Sequence, residues 1–214
     1  MNNDDICFKH ILPRLNGTDI KFLYEVNTET RKLMKRSSRE GEFKQKLKVR
    51  EMSSISTLEF VWENKSSRPS HWWKTWFCYR VALTNKLELL KWAREEKKCE
   101  WDDLTIDMAA SLGNLEMIKY CVANECPIGT YACARAARYG HLEVLKYLHE
   151  EVKAPWNSRA VREARDSDQT ECLQYCLDNN CPLPEGWSYV NGELHVPDYS
   201  ESELDSESEL DLSE

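Results

Sequence analysis

One six-residue run recurs along this chain at a nearly fixed period. Leu87-Glu88-Leu89-Leu90-Lys91-Trp92 returns as Leu115-Glu116-Met117-Ile118-Lys119-Tyr120 and as Leu142-Glu143-Val144-Leu145-Lys146-Tyr147. A worn copy is Thr170-Glu171-Cys172-Leu173-Gln174-Tyr175, and the steps are 28, 27 and 28 residues. Such a period confines the chain to a stacked array, because one short unit cannot bury its own apolar face and must cover its neighbour's. Other features keep the register. Ala82, Ala110 and Ala137 each stand five residues before the anchor leucine. Ala164 stands six before Thr170, which places an extra residue in the last unit. Each unit closes on a turn: Cys99-Glu100-Trp101, Cys126-Pro127-Ile128, Ala154-Pro155-Trp156 and Cys181-Pro182-Leu183.

The spacing within a unit predicts helix, tight turn, helix. Alanines such as Ala110 and Ala137 add little bulk, so a neighbouring first helix can approach closely. Gly113 and Gly140 suit the left-handed residue that ends that helix. Asn85 holds the same place in the first unit and tolerates that conformation next best. Leu115 and Leu142 open the apolar face of the second helix, as Leu142, Leu145 and Leu148 show at helical spacing. Glu143 lies in its first turn, where the helix dipole favours a carboxylate.

Residues 136–148, Ala-Ala-Arg-Tyr-Gly-His-Leu-Glu-Val-Leu-Lys-Tyr-Leu, resemble the core of the ankyrin repeat, Ala-Ala-x-x-Gly-His-x-Glu-Val-Val-Lys-Leu-Leu. The likeness covers roughly residues 74–187, as a short-period variant closing on Cys-Pro-Trp-like turns. It departs in two ways. No Thr-Pro-Leu-His opens a first helix; Tyr131-Ala132-Cys133-Ala134 and Leu104-Thr105-Ile106-Asp107 stand there instead. The period is also shorter than the ankyrin value of about 33. The missing residues fall at the finger between units, so finger-mediated binding is not expected. The resemblance implies an all-α, ankyrin-like helix-turn-helix solenoid, a non-catalytic protein-protein interaction module, with first helices lining a concave face.

This reading divides the chain into a helical N-terminal region (1–50), ankyrin-like repeats (54–187), a terminal hairpin or loop (188–197) and a disordered acidic tail (198–214). The units fall near 54–73, 74–101, 102–128, 129–156 and 157–183, the first a half unit built on Leu58. Asn16-Gly17-Thr18-Asp19 reads as a turn into a helix, with Thr18 or Asp19 as N-cap. Residues 4–38 carry two readings. One is a cap shielding the first repeat from water. The other rests on Ile11-Leu12-Pro13-Arg14-Leu15, Asp19-Ile20, Val26 and Arg31-Lys32-Leu33, which resemble part of an F-box. That resemblance implies a substrate receptor docking on a ubiquitin-ligase adaptor subunit. Val190-Asn191-Gly192-Glu193 is a hairpin signal, and Trp187 is the expected anchor there.

Charge is uneven. The net charge is −8, yet residues 201–214 hold seven acidic residues and no basic one, leaving −1 for the rest. Residues 31–50 are basic and read as a solvated helix face rather than a nucleic-acid site. In the register of the alanines, Arg80, Arg135 and Arg162 share one position and Arg138 and Arg165 another, so these five form a candidate partner-binding stripe. The nine cysteines include no Cys-x-x-Cys pair; Cys99, Cys126 and Cys181 share one repeat place and Cys121 and Cys176 another, and these read as packing. No metal set, cofactor loop or catalytic constellation is found: the seven glycines never cluster, and no histidine pair has ligand spacing. With 31% charged residues and a mean hydropathy of −0.67, no membrane span is expected. The expected protein is a monomer binding one or more unidentified proteins, in the cytoplasm or alternatively the nucleus.

Overall fold

The computed structural model describes residues 12–15, 17–26, 28–35, 48–63 and 73–197. The acidic segment 198–214 and most of the basic run lie outside them, as does much of the F-box-like stretch. A short 3-10 turn at Leu12–Arg14 precedes α1 (Gly17–Val26) and α2 (Thr28–Lys35). Since α1 begins at Gly17, Thr18 and Asp19 lie inside its first turn and neither is the cap. Ile20 is buried, and Asp19 Oδ1 accepts from Ser53 Oγ at 3.0 Å, which ties α1 to the start of the array.

The half unit is a 3-10 turn (Val49–Glu51) followed by α3 (Ile55–Glu63). Ser54 and Thr57 cap α3 reciprocally: Thr57 N donates to Ser54 Oγ at 3.3 Å and Ser54 N to Thr57 Oγ1 at 3.3 Å. Four full units follow. Their first helices are α4 (Trp73–Ala82), α6 (Asp103–Ser111), α8 (Tyr131–Arg138) and α10 (Ser158–Asp166). Their second helices are α5 (Leu87–Lys91), α7 (Leu115–Ala123), α9 (Leu142–Lys146) and α11 (Thr170–Asp178). The protein is an all-α repeat array with one small antiparallel pair at its end.

First helices pack directly on one another, α4 on α6, α6 on α8 and α8 on α10. Ala109, Ala110, Ala132, Ala136, Ala137, Ala160 and Ala164 are fully buried there. The core runs unbroken from Val49 to Cys181, with Leu58, Phe77, Leu90, Ile106, Ile118 and Leu145 among its largest members. Each such side chain contributes about 1.5–3 kcal/mol on burial.

Two left-handed residues punctuate every unit. Asn85, Gly113, Gly140 and Asp168 end the first helices with φ 59, 68, 72 and 55°. Lys98, Glu125, Lys153 and Asn180 end the second helices with φ 52, 57, 58 and 56°. This frame corrects the alanine register of the last unit. His141 N bonds Ala136 O and Gln169 N bonds Ala164 O, so Ala164 matches Ala136 and the unit has no extra residue before Thr170. Arg165 therefore stands where Ala110 and Ala137 stand. A small residue is not needed there, because no further first helix follows among the described residues; instead the Arg165 guanidinium lies 5.0 Å from the Trp187 ring.

The alternating period has its cause in the second helices. α5 and α9 pass into π-helical turns, Trp92–Glu96 and Tyr147–Glu151, while α7 and α11 remain α-helical. A π turn holds one residue more than an α turn over the same path. Units one and three thus carry the additional residue, and the array repeats in pairs. Each pair builds the same cluster. Trp101 meets Tyr120 edge-on at 6.0 Å, and Tyr120 donates to Glu95 at 3.0 Å. Trp156 meets Tyr175 at 6.4 Å, and Tyr175 donates to Glu150 at 2.8 Å. His149, which stacks on Trp156 at 3.9 Å, takes the place of Arg94, which lies 4.1 Å from Trp101. Deleting Glu151 from the second π turn is expected to lower stability by no more than about 1–2 kcal/mol, because α7 and α11 close the same turn without it. Deleting Ala123 from α7 removes a residue that has no spare and should cost at least twice as much by urea unfolding.

Repeat-locked cysteines fill the closing turns. Cys126 N bonds Cys121 O, and Cys181 N bonds Cys176 O, both at 2.9 Å. Each pair is thus the apolar contact of a helix C-terminal motif. Cys126 Sγ donates to Asp102 O and Cys181 Sγ to Asn157 O at 3.4 Å, tying the end of a unit to its beginning. After the last turn, β1 (Ser188–Val190) pairs with β2 (Glu193–His195), with Tyr189 opposite Leu194. Asn191 and Gly192 turn the hairpin at φ 53 and 83°. Trp187, Tyr189 and Leu194 pack on the core, and Gln174 Nε2 donates to Tyr189 Oη at 3.1 Å.

Candidate interaction surface

On each first helix, or just past its end, residues at i, i+4 and i+7 form a stripe that is exposed or half-buried, with Met108 resting partly against the core. The stripes are Trp76, Arg80 and Leu83; Leu104, Met108 and Ser111; Tyr131, Arg135 and Arg138; and Arg159, Glu163 and Asp166. Counted back from the left-handed residues, members of successive stripes are equivalent. One row therefore reads Trp76, Leu104, Tyr131, Arg159. Its first three residues are 42, 41 and 43% exposed and belong to the few large apolar side chains in solvent. Isolated exposed apolar residues need no explanation, whereas these three recur at one repeat position. Arg159 lies 4.2 Å from the Tyr131 ring and extends the row with a cation on an aromatic face. Tyr139, half exposed, adds a further aromatic side chain beside Arg138.

The structure separates the five arginines of the sequence stripe. Arg80 and Arg135 are equivalent, with Met108 and Glu163 at their place in the other two units. Arg162 falls one position earlier, in the row of Tyr79, Asp107 and Ala134, because Ala164 matches Ala136. Arg138 bonds Glu163 Oε2 at 2.8 Å across two units. Its counterpart in the last unit is Asp166, not Arg165, and Arg165 binds that Asp166 at 3.3 Å. The arginines thus form no single row, but they concentrate on α8 and α10, while α4 and α6 carry the apolar residues.

Beneath this surface lies a buried carboxyl. Asp107 is 6% exposed, and its Oδ1 has no hydrogen-bond partner among the described residues. Burial, with the Asp103 and Asp102 carboxylates adding to it, raises its pKa to about 7 against the pull of Arg135. The turns stitch the units together. Lys86 Nζ donates to Ser53 O at 2.7 Å, Asn114 Nδ2 to Asn85 Oδ1 at 2.7 Å, and His141 Nε2 lies 3.1 Å from Ser111 O. In the first three full units one side chain thereby reaches back to the unit before it, whereas Gln169 in the last donates to Ser167 O of its own unit.

Among the described residues no group of three His, Cys, Asp or Glu could hold a metal ion. No helix there is long and apolar enough to cross a membrane. Burial pushes the Cys133 thiol up to about 12 and the Cys172 thiol up to about 11, so these cysteines stay protonated and poorly nucleophilic.

Paired helices, an alanine seam and exposed rows on one layer define a helical repeat protein. Residues 106–157 match the family model described as ankyrin repeats (many copies), so this part of the array is similar to ankyrin repeats. No curated protein matches the chain, and no solved structure does either. Ankyrin repeats indicate a protein-protein interaction module and are typically non-catalytic.

Proposed function

We propose that the protein binds another protein on the solvent face of its first helices, with Trp76, Leu104 and Tyr131 as anchors and Arg80, Arg135 and Arg138 around them. The observation that carries this reading is the apolar row at a fixed repeat position, exposed where the equivalent inward positions are buried. Aromatic and arginine side chains supply most binding energy at protein interfaces, and the face offers both. The arginines act here as flanking groups that orient a partner carrying carboxylates, since exposed charges give specificity more than affinity.

The double substitution Leu104→Glu and Tyr131→Ala tests the reading. Both residues are two-fifths exposed, so the urea midpoint should move by less than the equivalent of about 1 kcal/mol. Affinity capture from the native cell should lose its specific partners at least about tenfold, the equivalent of about 1.4 kcal/mol. Unchanged recovery of the same partners would refute the face. A ligase-receptor role predicts another pattern, in which the adaptor subunit is recovered through residues 1–50 whatever stands at Leu104.

A further inference from the structure

The two halves of the first-helix face differ in chemistry. α4 and α6 offer Trp76, Leu104 and Met108. α8 and α10 offer Tyr131 and Tyr139 among Arg135, Arg138, Arg159 and Arg162, with the two carboxylates of the stripe, Glu163 and Asp166, already paired to Arg138 and Arg165. Arg162 is exposed and forms no ion pair among the described residues, and the Arg159 guanidinium lies over the Tyr131 ring. A ligand fitting this half carries carboxylates and a few aliphatic side chains. The chain itself holds such a segment. Residues 198–214 contain eight acidic residues, no basic one, and Leu204, Leu210 and Leu212.

We propose that residues 198–214 occupy the α8–α10 half of this face in the same molecule and screen it from a partner. The inference rests on the proposed function above, since both use one face. Position supports it: the described chain ends at Pro197, directly after a hairpin that packs on the last unit through Trp187 and Tyr189. Seventeen residues reach at most about 55–60 Å when extended, and neighbouring helices lie about 8–10 Å apart. The segment therefore spans α10 and α8 with residues to spare. Tethering gives it an effective concentration near about 1 mM, so weak attraction suffices to hold it. The basic run 31–50 is the competing site within the chain, but it supplies a single aromatic, Phe43, for three leucines. Along α8 and its C-cap, Tyr131, Arg135, Arg138 and Tyr139 bring aromatic and cationic side chains together.

Two full-length proteins and one peptide test the proposal. The first protein is native; in the second, the seven acidic residues of 201–214 are changed to their amides. The probe is a synthetic peptide of residues 198–214, titrated into each while amide NMR shifts are followed. The neutralised protein is expected to bind it saturably at about 0.1–1 mM, with shifts at Tyr131, Arg138, Arg159 and Arg162. The native protein should bind about two- to tenfold more weakly, because its own segment competes at about 1 mM. Roughly 0.5 M salt should abolish both. The additional changes Arg159→Glu and Arg162→Glu should remove binding by the neutralised protein. Equal titration of both proteins would overturn the proposal, as would shifts confined to 31–50 or no shift at several millimolar. Shifts in the native protein that grow with its own concentration would assign the segment to a second copy and overturn the intramolecular form. A failed titration with intact partner loss in the Leu104 and Tyr131 variant leaves the proposed function standing.

Discussion

Replacing Gly113 by alanine is expected to lower the unfolding free energy by about 2–3 kcal/mol, from two separable causes. The first is conformational. Gly113 has φ +68°, and a side chain there costs about 1 kcal/mol. Asn85 and Asp168 accept the same region at equivalent places, so φ alone does not demand glycine. The second cause is the neighbour. A Cβ on Gly113 would lie 2.6 Å from His141 Nδ1 and 2.7 Å from Cε1. The ring is rigid and is held by its contact with Ser111 O, so it must leave and give up that hydrogen bond, worth about 1 kcal/mol. Gly140 makes the comparison. There a Cβ would lie 2.1 Å from Gln169 Oε1, the far end of a flexible side chain that can swing aside. Gly140→Ala should therefore cost about 1 kcal/mol, and the β-branched Gly140→Val more. In the double variant Gly113→Ala with His141→Ala, the clash is absent and the losses should fall short of additivity by at least about 0.5 kcal/mol. Urea unfolding of the four proteins reads both effects. Additive losses would show that His141 does not press on Gly113.

The largest pH effect should come from Asp107. Its folded pKa of about 7 lies above the ordinary 3.8. Below about pH 4 both states hold the proton and stability is independent of this group. Between about pH 4 and pH 7 the unfolded state releases the proton while the folded state keeps it, so stability falls as pH rises. Above about pH 7 the folded state carries a buried carboxylate and the loss is complete. Asp107→Asn removes the charge and keeps the shape. It is expected to raise the unfolding free energy at pH 8 by about 1–3 kcal/mol and to flatten the slope between pH 4 and 7. Urea midpoints at pH 4, 6 and 8 for both proteins decide it. A native protein that gains stability over that range relative to the variant would contradict the assignment.

Much of the fold was legible because the repeat is physical as well as textual. The anchor run, Gly113, Gly140 and the alanines Ala110 and Ala137 each perform one packing task in every unit, so their spacing reports the architecture. The register failed where the task changed. Ala164 matches Ala137 by residue type alone, yet the backbone pairs it with Ala136. Among the described residues no first helix follows the last unit to demand a second small residue, and Arg165 fills the place. The π turns were invisible, since one additional residue in Trp92–Glu96 or Tyr147–Glu151 looks the same in sequence wherever it is inserted. The arginine stripe inherited the faulty register, which is why Arg162 was grouped with Arg135. The apolar row was present in the spacing of Trp76, Leu104 and Tyr131, at 28 and 27 residues. It went unread because an amphipathic reading assigns large apolar residues to the core, and only burial separates Leu104 from Ile106. Asp107 likewise looks like any helix-surface acid until α8 is packed against it.

Site-specific photo-crosslinking in the native cell tests the central claim most directly. A photoreactive phenylalanine analogue is placed at Leu104 on the first-helix face, and in a second protein at Lys119 on the exposed side of α7. Both side chains are exposed, so neither change should disturb the fold. The account predicts discrete adducts with a partner protein from position 104 and none from position 119. Adducts from position 119, with none from position 104, would place the interface on the second helices and contradict it.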